Sequence, residues 1–109
     1  MTKVTVTKHN NRIIVVECDG HTGYGAEGED IVCAALSSVV QTAALGLLQV
    51  AGVALDLQRD ASKGYLRMEL PRGLDDKTMH DCQVILNTML LGVADLNEGF
   101  SDYVELEVR

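Results

Sequence analysis

Asp30-Ile-Val-Cys33-Ala-Ala-Leu-Ser37-Ser38-Val-Val-Gln41-Thr42-Ala-Ala-Leu-Gly46-Leu-Leu-Gln49-Val50 contains no charged residue after its first, and none follows until Asp56. A run this long and apolar has the length of a membrane span. Its polar residues argue against that reading: Ser37, Ser38, Gln41, Thr42 and Gln49 recur at helical spacings along one side, and Gly46 and Gly52 interrupt the run. The segment is therefore expected to be a central helix from Ile31 to about Val50, covered by a sheet on one side and by a second subunit on another, with no membrane partner. Asp30 is its expected N-cap, because a carboxylate there can accept the unpaired amides of the first turn.

Working outward, Lys3-Val-Thr-Val-Thr7 alternates apolar and polar, the period of a strand buried on one face. His9-Asn10-Asn11-Arg12 reads as a turn, since Asn tolerates left-handed conformations. The β-branched Ile13–Cys18 is the partner strand. Residues 19–29 form a loop holding Gly20, Gly23, Gly25 and Gly28. Beyond the central helix, Val53–Leu57 and Gly64–Leu70 are predicted strands around a polar loop from Gln58 to Lys63. In the second of them Leu66, Met68 and Leu70 face inward. Pro71-Arg72-Gly73 stops that strand. Asp75 and Asp76 open a second helix running to about Leu96, with Cys82, Ile85, Leu86, Met89, Val93 and Leu96 as its buried stripe. Tyr103–Val108 alternates again, predicting Val104, Leu106 and Val108 inward. The order is ββαββαβ: an α+β domain spanning residues 1–109, with a mostly antiparallel five-stranded sheet packed with two helices.

The composition agrees. At 109 residues the chain is the size of one domain, and 9 Lys+Arg against 16 Asp+Glu leave a net charge of −7. That balance excludes a protein that works by gripping nucleic acid or an anionic membrane. Between Arg12 and Arg59 there is no Lys or Arg, and the basic group Arg59, Lys63, Arg67 and Arg72 reads as a solvated hairpin rim. Aromatic residues are scarce, so the core must be aliphatic. Cys18, Cys33 and Cys82 are an odd number without paired spacing, and the N-terminal segment is polar and β-patterned. Both point to a reducing, cytoplasmic setting.

Three chemical readings compete. Gly23-Tyr-Gly-Ala-Glu-Gly28 has the outline of a dinucleotide-binding fingerprint, with Asp56 after it. However, Gly28 precedes the helix cap instead of lying in the helix, Glu27, Glu29 and Asp30 would repel a pyrophosphate, and Asp56 comes later than the usual ~20 residues. Cys18, His21 and Cys33 could meet as metal ligands, but only Cys18-x-x-His21 has the close pairing of a structural zinc site, so no metal is expected. The sharper reading places Cys33 at the third position of the helix that Asp30 caps. The helix dipole and the nearby amides there favour a thiolate and can hold an oxyanion. A thiolate attacking a carbonyl needs a proton carrier, and the imidazole of His21, at the end of the preceding strand, suits that role. The same residues also fit a buried apolar cysteine beside a freely titrating loop histidine, and spacing alone does not choose. Glu27, Glu29 and Asp30 would oppose a thiolate if close to it, or assist if one oriented His21 as imidazolium.

Gly20-His21-x-Gly23-Tyr24-x-x-x-Gly28-x-Asp30-Ile31-Val32-Cys33-Ala34-x-x-Ser37 resembles the signature of the Prp family, the ribosomal-processing cysteine proteases of bacteria, and the similarity extends over essentially the whole chain. Gly25 departs from the family's expected Ala. The resemblance implies Cys33 as nucleophile and His21 as general base, without metal or cofactor. Asp30, Ser37, Gly20, Gly23 and Tyr24 would be supporting or substrate-binding residues, and the loop from Gly20 to Gly28 a lid that orders on substrate. It also implies a homodimer, acting on the N-terminal extension of large-subunit ribosomal protein twenty-seven. The competing class is a dimeric ribosome-assembly or regulatory binding module in which Cys33 is structural.

Overall fold

The computed structural model describes residues 1–26 and 30–109. The chain runs β1 (Thr2–His9), β2 (Arg12–Asp19), α1 (Ile31–Leu45) prolonged by a π-helical turn (Gly46–Val50), β3 (Asp56–Asp60), a 3-10 turn (Ala61–Lys63), β4 (Tyr65–Glu69), α2 (Asp76–Gly99) and β5 (Val104–Val108). The five strands form one sheet in the order β3-β4-β2-β1-β5. All neighbours are antiparallel except β1 and β5, which run parallel. This is the expected ββαββαβ fold with a mostly antiparallel sheet.

Each element follows from local chemistry. Asn10 and Asn11 take φ of 51° and 62°, the left-handed pair that a two-residue hairpin needs to match strand twist. Asp75 caps α2 by accepting the Thr78 amide at 2.8 Å. Cys82, Leu86, Met89 and Val93 then bury one stripe of that helix, at the spacing that puts them on one face. Val32, Leu36, Val40, Ala43, Ala44 and Leu47 do the same for α1 and its extension. Both stripes meet Val4, Val6, Ile13, Val16, Leu66 and Met68 of the sheet in a single aliphatic core. Ile31–Val50 is long and apolar enough to cross a membrane; in this fold its buried side is a core face.

Three features differ from expectation. The third strand begins at Asp56, not Val53, and takes in Gln58, Arg59 and Asp60, which were read as loop. Gly52 at φ +70° and a tight Leu55 amide to Val53 carbonyl bond occupy the earlier residues. Pairing with β4 on one side only lets a polar segment serve as an edge strand. The second helix runs on to Gly99, past Leu96. Val108 is exposed and Leu106 only half-buried, because β5 is the opposite edge and its end outruns the helical cover.

The π-helical turn should be integral to this core. Leu47 is fully buried, and its carbonyl accepts the Val53 amide that leads into β3. Leu47→Ala is expected to cost about 2–5 kcal/mol in urea-induced unfolding; a change near zero would show that the turn is dispensable.

Candidate active site

The loop after β2 meets the start of α1 at one carboxylate. Asp30 caps the helix, its Oδ1 accepting the Cys33 amide at 2.8 Å. Its Oδ2 accepts the Thr22 hydroxyl and, at 3.1 Å, the Tyr24 amide. Burial alone would raise the Asp30 pKa. The hydrogen bonds from Thr22 and from the amides of Cys33, Gly25 and Tyr24 outweigh it and hold the carboxyl below the ordinary carboxylate range. Thr22, which sequence reasoning missed, is only 1% exposed. Nothing periodic marks it; a hydroxyl eight residues before a cap was the only signal.

Two adjoining cavities, of about 180 and 450 Å³, are both lined by His21, Cys33 and Ser37. The imidazole and thiol expected to act together therefore face common space. Among the described residues no hydrogen bond joins them; His21 Nε2 instead meets the Ser62 carbonyl at 3.3 Å. Cys33 is half-buried, whereas Cys18 and Cys82 are buried. Desolvation, with Glu17 adding to it, pushes the Cys18 thiol up to about 12. Desolvation and then Asp81 also raise that of Cys82. No group of three metal-ligating side chains forms among the described residues, and Cys18 sits in the floor of the smaller cavity with Leu36, Val40 and Leu66.

Ser37 lies one turn after Cys33, as its spacing requires. Its hydroxyl accepts from Gln41 Nε2 at 2.8 Å. Gln41 itself lines that cavity, together with Arg59 and Tyr65. Gln41 was legible from its i+4 position to Ser37; the other two come from distant strands and were not. Gly20 lines the smaller cavity and Gly23 the larger.

Tyr24 contributes its amide, while its ring packs edge-on against Phe100 and Tyr103, at centroid distances of 5.9 and 5.2 Å. It supports the Asp30 carboxylate through its amide and anchors the loop through its ring. Of the first-turn amides expected to hold an oxyanion, that of Cys33 is already accepted by Asp30. Arg67, placed on a solvated rim, pairs with Glu69 at 3.0 Å and approaches Glu17 at 4.0 Å. The expected lid is tied along its first part, where Gly20 accepts the Thr2 hydroxyl at 2.6 Å and Thr22 and Tyr24 hold Asp30. Glu27, Gly28 and Glu29, with the roles considered for them, lie outside the described residues.

A family model described as cysteine protease Prp matches residues 1–105. The ribosomal processing cysteine protease Prp of Bacillus subtilis is 28% identical over 105 residues, covering 94% of this chain and 92% of that protein. The essential ribosomal processing protease Prp of S. aureus, solved with a covalently linked product peptide, superposes with a TM-score of 0.89 at 25% identity over the full length of both chains. The structure of SMU.848 from Streptococcus mutans gives a TM-score of 0.86 at 29% identity, covering 99% of this chain and 93% of that one.

Removing the Asp30 carboxylate should loosen helix and loop together. Asp30→Ala is expected to lose about 1 kcal/mol of stability, the usual worth of such a cap. Because its folded-state pKa is depressed, the contribution is present above the ordinary value of about 3.9 and is lost as pH falls through the lower folded-state value. Thermal unfolding across pH checks this: the gap between wild type and variant should be constant near neutrality and close in acid. A gap that persists undiminished in acid would mean that the carboxylate charge is not responsible.

Proposed function

Because the chain belongs to the Prp family of cysteine proteases, we propose that it is a cytoplasmic endopeptidase that removes the N-terminal extension of large-subunit ribosomal protein twenty-seven, using Cys33 as nucleophile and His21 as general base. The observation that carries the reading is the convergence of Cys33, His21 and Ser37 on the same two cavities. Of the three thiols, Cys33 alone is not buried, and desolvation raises the pKa of the other two. The S. aureus relative carrying a covalently linked product peptide supports the same chemistry.

In this mechanism the Cys33 sulfur attacks the scissile carbonyl carbon as its proton passes to His21. Charge develops on the carbonyl oxygen near the start of α1. The Ile31 and Val32 amides, which the helix itself cannot pair, serve as its donors. Collapse breaks the C–N bond, His21 returns the proton to the leaving amine, and water then hydrolyses the thioester. Asp30 positions both partners, through the loop on one side and the helix on the other. Ser37 donates to the bound peptide. The smaller cavity, with an apolar floor of Leu36, Val40 and Leu66 beneath Gln41, Arg59 and Tyr65, takes a substrate side chain. A net charge of −7 draws in a small basic ribosomal protein.

The active form is a homodimer. What supports this is the helical face turned from the sheet. Leu91 is 73% and Val84 54% exposed, beside a groove of about 580 Å³ between α1 and α2 lined by Val39, Val50 and Ile85. A second copy would cover these surfaces.

Incubating the protein with the extended ribosomal precursor and weighing the products tests the assignment. Wild type is expected to release the extension, and Cys33→Ser to lose at least a thousandfold in rate while keeping its circular dichroism spectrum. Undiminished cleavage by Cys33→Ser would overturn the assignment of the nucleophile. Tight binding of an uncleaved precursor by wild type would favour a binding module over an enzyme.

A further inference from the structure

In a nucleophile–base pair the base is normally oriented by a third group bonded to its other ring nitrogen. The cap carboxylate that lines a cavity together with His21 is already engaged. Asp30 gives one oxygen to the Cys33 amide and the other to Thr22 and Tyr24. What meets the ring is the carbonyl of Ser62, 3.3 Å from Nε2. A carbonyl oxygen only accepts, so this contact puts the proton on Nε2 and leaves Nδ1 as the basic nitrogen.

The turn that carries this carbonyl is built to stay in place. Asp60 Oδ1 accepts both the Ser62 amide at 3.1 Å and its hydroxyl at 2.6 Å. The Gly64 amide closes the turn on Ala61 at 3.2 Å. Gly64 stands at φ +61°, and a Cβ there would lie 2.9 Å from the Gly20 carbonyl carbon and 3.0 Å from the His21 nitrogen. On the other side a Cβ at Gly20 would lie 2.7 Å from the Met1 oxygen. The backbone leading into His21 is thus clamped between the start of β1 and the β3–β4 turn, with no room for a side chain at either contact.

Resting on the protease reading above, we propose that the β3–β4 turn is the third member of the catalytic apparatus: the Ser62 carbonyl fixes His21 as the Nε2–H tautomer so that Nδ1 faces Cys33, with Gly64 as the positioning residue that lets the turn approach. The proton balance is closed. The Cys33 S–H bond breaks as Nδ1–H forms, Nε2–H stays on the Ser62 carbonyl and is strengthened in the imidazolium, and Nδ1–H later passes to the leaving amine.

Two-bond ¹H–¹⁵N correlation spectra of the full chain, at a pH where imidazoles are neutral, read the tautomer without any substrate. His21→Gln assigns the signals, and His9 and His80, both exposed, serve as internal references. His21 is expected to show a pyridine-like Nδ1 and a pyrrole-like Nε2 without the tautomer averaging of the references. Gly64→Ala should restore that averaging and lower kcat at least tenfold with KM changed less than threefold. If Gly64→Ala does not fold, the wild-type spectrum still decides. A protonated Nδ1, averaging equal to that of His9 and His80, or full kcat in a folded Gly64→Ala with the tautomer unchanged would each overturn the proposal. A locked Nε2–H tautomer in a protein that cleaves no precursor supports the geometry and counts against the protease reading alone.

Discussion

The carboxylate of Asp30 joins two parts of the chain, the loop after β2 and the first turn of α1. Its Oδ1 belongs to the helix, through the Cys33 amide, and its Oδ2 to the loop, through Thr22 and Tyr24. A loop without sheet partners carries a full conformational entropy cost for every residue held in place. Charge-assisted bonds to one fixed acceptor are an efficient way to offset that cost. Burying Thr22 beneath the loop shields the contact from water, and the Tyr24 ring, set edge-on between Phe100 and Tyr103, supplies a second anchor of a different kind. His21 and Cys33 lie on either side of this junction, so Asp30 holds the two segments that carry them, while the β3–β4 turn meets the His21 ring.

The three cysteines show how position decides chemistry. Cys18 points into the sheet–helix core and is pushed far from ionisation by desolvation, with the neighbouring Glu17 adding to it. Cys82 sits in the buried stripe of α2 and is raised by the same cause. Cys33 stands in the first turn of a helix that has neither acidic residues in that turn nor basic ones in the last, and it is open to the cavities shared with His21. Two thiols are packing groups, and one is placed for reaction.

Much of this was readable from residues alone. The alternation of β1, the Asn10-Asn11 turn and the Asp30 cap are local consequences of side-chain chemistry and appear where the spacing put them, as do four of the six residues of the α2 stripe, Ile85 and Leu96 being only partly buried. The ordered motif from Gly20 to Ser37 likewise identified the family, whose model matches residues 1–105. What local pattern could not supply was anything fixed across the sheet. The true start of β3 depends on pairing with β4, and the exposure of Val108 on how far the helices reach. Arg59 and Tyr65 enter the cavity only because β3 and β4 come back beside β2. The Ser62 carbonyl and the fit of Gly64 against Gly20 are backbone contacts, which leave no trace in residue type beyond the glycines themselves.

The dependence of the thiol–imidazole pair on Asp30 can be read directly from the rate at which iodoacetamide alkylates Cys33 at neutral pH, followed by peptide mass mapping. If Asp30 holds the pair together, Cys33 reacts much faster than Cys18 or Cys82 in the wild type, and Asp30→Ala slows it to the rate seen in His21→Ala. Alkylation of Cys33 in Asp30→Ala at the wild-type rate would contradict the account.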